Sequence, residues 1–246
     1  MDKNAYKSMF DLECRHWWYK GLDHLLRQTV GRLELSAGAR ILDAGCGTGR
    51  VVHMLQSEFT MFGIDVAADA IQYCRQSQLG NVVQGSIEAL PYQSEMFDVI
   101  ISADVLYHRN VQTDHLPLQE FYRTLKPAGR LILNLPALES LRGSHDAHVH
   151  TRERYTRTQL IGRVESVGFK LIVATYRLFP LFPLIALWRL LSRLLPGVRG
   201  GRESDLFLPP PFINSFLYRI DWLENQWLRW FRVPTGSSLF LVARRA

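Results

Sequence analysis

Residues 40–50, Arg40-Ile41-Leu42-Asp43-Ala44-Gly45-Cys46-Gly47-Thr48-Gly49-Arg50, restrict the fold of this chain more than any other stretch. Ile41 and Leu42 read as the end of a buried strand, and Val51, Val52 and Leu55 open a helix. Three glycines at alternate positions lie between them. They make a turn that side chains would block, because glycine adopts left-handed backbone and lets a ligand come close to the main chain. Asp65 stands twenty positions beyond Gly45, at the end of the next apolar run. A carboxylate there can accept hydrogen bonds from both hydroxyls of an adenosine ribose. Strand, glycine turn, helix and acid in that order mark a nucleoside-cofactor site.

A dinucleotide fingerprint would place its third glycine at the sixth position, where this chain has Arg50. Asp43, just before the glycines, would repel a pyrophosphate but suits a cationic amino-acid ligand. Here the chain resembles class I S-adenosylmethionine-dependent methyltransferases, whose first motif reads like Leu42-Asp43-Ala44-Gly45-Cys46-Gly47-Thr48-Gly49. The resemblance implies S-adenosylmethionine as cofactor. Its amino-acid end would lie on Asp43 and the main chain of Gly45, Cys46 and Gly47, and its ribose on Asp65 beside Val66. The adenine would lie against Ser86 and Ile87, although the family pattern has an acid where this chain has Ser86. Phe97–His108 matches the fourth-strand motif. Its main chain after Ala103 would border the methionine part, and Tyr107 and His108 would face the transferable methyl. It lacks the N-P-P-Y type signature of enzymes that methylate the exocyclic amines of bases.

Strand and helix signals alternate from residue 40. Strands are expected at 40–44, 60–65, 81–84, 97–103 and 130–135, with helices near 48–57, 68–78 and 116–125. Lys126-Pro127-Ala128-Gly129 reads as a helix stop and turn. Thr158–Ser166 reads as a helix, Lys170–Tyr176 as a sixth strand and Ser238–Ala243 as a seventh. This is an α/β pattern with helices on both faces of a Rossmann-like sheet. The resemblance implies seven strands in the order 3-2-1-4-5-7-6 with only the last antiparallel. Residues 1–35 are then an N-terminal helical lid, and 36–177 with 237–246 the cofactor-binding core. Residues 178–236 form a hydrophobic helical insertion between strands six and seven.

That insertion carries an uncharged run, Leu178–Trp188, too short to span a bilayer. A loop at Pro196–Arg202 follows, and then an amphipathic helix with Phe212, Phe216, Ile220, Leu223, Trp227 and Trp230 at threes and fours. The insertion fits an acceptor pocket, an interfacial membrane contact or a homodimer interface. Charge is uneven: residues 1–150 carry −3 and residues 151–246 carry +9, almost all of it arginine. Arginine interleaved with aliphatic and aromatic runs suits an anionic lipid surface better than a duplex, so no nucleic-acid partner is expected. A solvated basic face is the alternative. Three scattered cysteines and an N-terminus without an apolar export segment point to the cytoplasm, with peripheral contact at the inner face of a membrane left open.

Ser144–Tyr155, just after the fifth strand, holds the histidines best suited to proton removal. His148 and His150 could share one face of an extended segment, with His145 and Asp146 behind. His145 and His150 are the candidates for orienting or deprotonating the acceptor, with His108 in reserve. Tyr107, His148, Arg152, Tyr155 and Trp18 are the candidates for acceptor binding. Adjacent Trp17 and Trp18 cannot both face one core, so one of them covers the ligand unless both pack against neighbours. Zinc, structural hydrogen bonding and surface charge are the alternatives for this cluster, and no metal is assigned, since no second ligand cluster completes a shell. His16-Trp17-Trp18 with His145-Asp146 and Arg152-x-Arg154-Tyr155 is also similar to one bacterial methyltransferase subgroup.

The expected function is methyl transfer to a small or lipid-like, largely apolar acceptor, at oxygen or carbon rather than nitrogen. Two rivals remain. One is a cofactor-binding fold that catalyses another step, such as a cyclisation, and the other a membrane-associated binding protein with a vestigial site.

Overall fold

In a computed structural model the chain builds one seven-stranded sheet, and the structure describes residues 3–194 and 207–246, with side chains at all of these except 3–5, 144, 145 and 192–194. The Pro196–Arg202 loop lies outside the described residues. Helices α1 (Lys3–Glu13) and α2 (Trp17–Val30) come first. Then β1 (Arg40–Ala44), α3 (Arg50–Leu55), β2 (Thr60–Asp65), α4 (Ala68–Gln76), β3 (Val82–Gln84) and β4 (Phe97–Ala103) alternate. They are followed by α5 (His115–Thr124), β5 (Leu125–Pro136), a 3-10 turn at Glu139–Leu141, α6 (Ser144–His148), α7 (Arg157–Ser166) and β6 (Phe169–Arg177). The chain finishes with α8 (Phe182–Leu194), α9 (Pro211–Trp227) and β7 (Ser238–Arg245).

The strand order is β3-β2-β1-β4-β5-β7-β6, as the resemblance implied. β1 pairs in parallel with both β2 and β4, whereas β7 is antiparallel to β5 and β6. Apolar residues alternate between the two faces of the sheet with the two-residue period of a strand. Leu42 and Ile100 join Leu118 and Phe121 of α5 and Leu160 and Val164 of α7 in one core. Ile41, Val99 and Ile101 join Leu22 and Leu26 of α2 and Val51 and Leu55 of α3 in the other. Each such aliphatic side chain, taken fully out of water, contributes about 1.5–3 kcal/mol. With helices on both faces, the free carboxyl ends of β1, β2 and β4 become the place for a ligand.

Two local features depart from the sequence reading. Lys126–Gly129 is no free turn: Leu125 pairs with Phe97 and Arg130 with Val99, so the four residues bulge out of a continuous β5. Ala128 takes up the left-handed backbone (φ 62°), and Lys126 Nζ reaches back to Asp98 at 2.8 Å. Ser144–His148 is a short helix rather than an extended run, and His150 beyond it is left-handed (φ 55°). His148 and His150 therefore do not share an extended face.

α9 starts with Pro211 in its first turn, where a missing N–H costs nothing. Its apolar stripe forms as expected, but faces solvent: Phe212, Phe216, Leu223, Trp227 and, beyond the helix, Trp230 are exposed. The buried face is polar, with Asp221, Glu224 and Asn225. The reason is Arg177, the last residue of β6 and wholly buried. A buried guanidinium needs paired partners, and its Nη2 donates to both carboxylate oxygens of Asp221 at 3.3 Å. Glu224 accepts the main-chain N–H groups of Leu178 (2.7 Å) and Phe179 (2.8 Å). Asn225 donates to Gly21 O at 2.9 Å, and Asn214 accepts from Trp17 N and donates to Arg15 O. Gly21 permits this approach, since a Cβ there would collide with the Asp221 carboxylate.

Candidate active site

A cavity of about 1250 Å³ opens at the carboxyl ends of β1, β2 and β4. Asp43, Gly45, Cys46, Gly47, Asp65, Val66, Ser86, Ile87 and Ala103 all line it, so every candidate cofactor residue comes together in space. The loop after β1 runs through left-handed backbone at Gly45 (φ 90°) and Gly47 (φ 53°). A Cβ at Gly45 would clash with Val105, which fixes glycine there. Asp65 ends β2 with its carboxylate held by main-chain donors: Gly47 N–H to Oδ2 and Ala67 N–H to Oδ1, both 2.9 Å. Ser86 Oγ accepts from Glu88 N–H at 3.1 Å.

α1 and α2 close this end. The Tyr6 phenol donates to Asp65, and Thr48 donates to buried Glu13 Oε2 at 2.6 Å. Phe10 stacks on Tyr73 of α4 at 4.9 Å. Trp17 and Trp18 both line the cavity, so neither is spent on core packing alone. Arg50 pairs with Asp23 and lies 5.1 Å from the Tyr19 ring. Burial disfavours charge throughout this wall: it pushes Asp43 up to about 8, raises Glu13, and raises Asp65 against its two main-chain hydrogen bonds. A cation entering here would be stabilised by carboxylates that otherwise gain from being protonated.

The far end is built by β4, β5 and the insertion. Asp104 follows β4 with φ 60°, and its Oδ2 accepts from Asn134 Nδ2 of β5 at 2.9 Å. Asn134 Oδ1 accepts from Arg177 Nη1 at 3.2 Å, so a polar chain runs from half-buried Asp104 in the cavity through the buried Asn134, Arg177 and Asp221 to α9. Burial pushes Asp104 up to about 6, with Asn134 and Arg177 opposing. His108 sits edge-on to His150 at 5.8 Å between ring centres, and burial pushes it down to about 4, so its ring is neutral near pH 7. Asp146 holds Arg154 through contacts of 2.8 and 3.2 Å. Burial would raise Asp146, but Arg154 outweighs it and keeps the carboxylate below its usual range. Arg189 of α8 lies against Gly143 and acts on the same carboxylate. Leu181 just ahead of α8, Ile185 and Trp188 of α8, and Ile213 and Leu217 of α9 complete an apolar wall.

The family profile described as a methyltransferase domain matches residues 35–180. This chain belongs to that family. Over 147 residues it is 31% identical to the malonyl-[acyl-carrier protein] O-methyltransferase of Enterobacter lignolyticus, covering 57% of each chain. It is 32% identical over 147 residues to the ubiquinone/menaquinone biosynthesis C-methyltransferase of Syntrophotalea carbinolica, covering 54% of this chain and 61% of the relative. The chain thus spans less than two thirds of these relatives. The fold matches that of an S-adenosylmethionine-dependent methyltransferase of Thermotoga maritima with a TM-score of 0.62 at 17% identity, over 99% of this chain and 96% of the other. These likenesses and the cradle identify a methyltransferase domain with the class I fold.

The residues expected at the acceptor end are only partly brought together. Tyr107, His108 and Trp18 line the cavity. His145 has its side chain outside the described residues. His148 and His150 do not line the cavity, and the main-chain carbonyl of His150 accepts from Arg109 N–H at 2.9 Å. Arg152 and Tyr155 do not line it either, being committed elsewhere. Arg152 pairs with Asp114, and the fully buried Tyr155 donates to Asp114 Oδ1 at 3.0 Å. Arg154 and Asp146 line the cavity instead, two residues along from Arg152 and one from His145. Asp104, Glu13 and Arg50 carried no signal of their own. Asp104 was legible only as a polar residue directly after the fourth strand.

Proposed function

We propose that this methyltransferase moves the methyl group of S-adenosylmethionine to a small or lipid-like acceptor with an apolar body and an anionic group. One observation carries this reading. A single cavity runs from the Asp65 cradle to the apolar wall of α8 and α9, and its volume of about 1250 Å³ exceeds the usual range for one small ligand. Two ligands laid end to end fit that shape. When bound, the cofactor supplies an electrophilic sulfonium methyl.

The residues of the chain hold and orient. Asp65, its carboxylate already aimed by Gly47 and Ala67, accepts the ribose hydroxyls. Ser86 keeps its hydroxyl hydrogen to donate to the adenine, and Ile87 packs on the ring. The bare main chain at Gly45–Gly47, with Asp43 behind it, takes the amino-acid end. The apolar wall excludes water and aligns the acceptor, which is where most of the rate acceleration originates. Arg154, with Arg189 nearby, faces the anionic group. Asp104 and the neutral His108 line the cavity and are the groups able to take up the proton that methylation at a hydroxyl or an acidic C–H expels.

Labelled S-adenosylmethionine offered with apolar, phosphorylated and phenolic acceptors tests the reading. A product heavier by one methyl, with S-adenosylhomocysteine released, is the expected result. Asp65→Ala removes both ribose contacts, and calorimetry is expected to show cofactor affinity falling by roughly a hundredfold or more. Undiminished affinity in that variant would sink the proposal.

A further inference from the structure

The outward face of α9 is the largest feature that methyl transfer leaves without a use. Phe212 (82% exposed), Trp227 (69%) and Trp230 (78%) stand with Phe216 and Leu223 along one side. A soluble monomer seldom leaves so long an apolar stripe in water. The stripe is continuous with the cavity: Leu184 and Trp188 of α8 and Ile213 of α9 line the pocket and are also exposed, so they form its rim.

Charge decides what covers this face. Arg219, Arg229 and Arg232 are exposed around the stripe, with Trp222 on its flank. The carboxylates described on α8 and α9, Asp221 and Glu224, are both buried on the opposite side. Among the described residues of the two helices the outer face is therefore apolar and cationic. A two-fold dimer would set this patch against itself, arginine opposite arginine. Anionic headgroups complement it, and tryptophan with arginine around an aliphatic stripe is the composition of a helix lying in a bilayer interface. No helix among the described residues is long and apolar enough to cross a membrane, which is consistent with lying on one.

We propose that α9 and the rim of α8 seat this protein on an anionic lipid bilayer, with the cavity mouth opening onto the membrane. The acceptor then enters from the lipid, past Leu184, Trp188 and Ile213, without crossing water. This rests on the reading of the cavity as a site for an apolar acceptor. The polar chain Asp221–Arg177–Asn134–Asp104 ties the docked helix to the cavity floor.

Flotation of the full-length protein with vesicles tests it. Binding is expected to vesicles containing phosphatidylglycerol and to be at least tenfold weaker with phosphatidylcholine alone. Replacing Arg219, Arg229 and Arg232 by glutamine is expected to weaken binding roughly fivefold per arginine. Trp227→Ser with Trp230→Ser is expected to weaken it by roughly tenfold or more. All these positions are exposed, so melting temperature and S-adenosylhomocysteine affinity in solution should not move. No partition into anionic vesicles, or partition unchanged in the variants, overturns the proposal. So does a concentration-dependent dimer in ultracentrifugation that the tryptophan variants dissolve. Calorimetry with S-adenosylhomocysteine on the same samples separates the two readings: cofactor binding without vesicle binding removes membrane docking alone, whereas vesicle binding by folded protein with no cofactor heat removes the methyltransferase reading.

Discussion

Asp104 illustrates how a residue acquires chemistry from its surroundings. It leaves β4 in left-handed backbone, a conformation that costs a non-glycine residue about 1–3 kcal/mol and survives only where neighbours impose it. Those neighbours are Asn134, whose carbonyl accepts its N–H at 2.8 Å and whose amide holds its carboxylate. Raised to about 6, the carboxylate is mostly ionised at pH 7 yet basic enough to receive a proton. With a methylated acceptor in hand, kcat/KM is expected to rise with pH through about 6, and Asp104→Asn to erase that limb. Asp43 gives a second signature. Burial raises it to about 8, so in the free protein near pH 7 it is mostly protonated. A cationic ligand favours the carboxylate, and binding must then release a proton. Affinity for S-adenosylmethionine should therefore fall as pH drops from 8 to 6, by up to about tenfold per unit. Calorimetry in buffers of different ionisation heat measures the released proton, and Asp43→Asn should abolish both effects.

At the level of elements, α9 is held by what it buries, and what it buries is polar. Arg177 and Asp221 are both wholly enclosed, so removing one leaves an uncompensated charge. Arg177→Met is expected to lower unfolding free energy by about 3–5 kcal/mol in denaturant titration. Pairing it with Asp221→Leu should restore most of that loss, since a matched apolar pair costs little. Failure of the double variant to recover would mean that the Arg177–Asn134 bond, not the ion pair, carries the stability. α7 is simpler: Thr156 and Gln159 form a reciprocal cap two residues ahead of where the sequence reading began the helix. The 144–155 segment is the contrasting case. Its histidines and arginines were visible, but which of them face the cavity turns on a helix of five residues and one left-handed residue, His150.

On the scale of the molecule, the N-terminal helices and the insertion meet over the sheet and enclose the two ends of one cavity. Tyr6 on Asp65 and Glu13 on Thr48 place α1 directly across the cofactor cradle. Occupancy of the cradle should consequently order both helices. Amide exchange across residues 6–30 is expected to slow on adding S-adenosylhomocysteine, with residues 157–177 unchanged as an internal reference. Equal exchange with and without the ligand would argue that α1 and α2 are fixed independently of the site.

The sequence alone determined the strand–glycine–helix turn, the acid at residue 65, the alternation that makes a parallel sheet, and the presence of an amphipathic helix after Pro211. Each is a local matter, set by backbone freedom at glycine and by the two- or 3.6-residue period of buried side chains. Tertiary structure alone decided which side of that helix turns inward, that Arg154 rather than Arg152 reaches the cavity, and that Asp104 is a half-buried cavity carboxylate with a base's affinity for protons. Those outcomes depend on partners far away in the chain. A charge enclosed at the end of β6 must be neutralised, and the only face of α9 able to do so is its polar one.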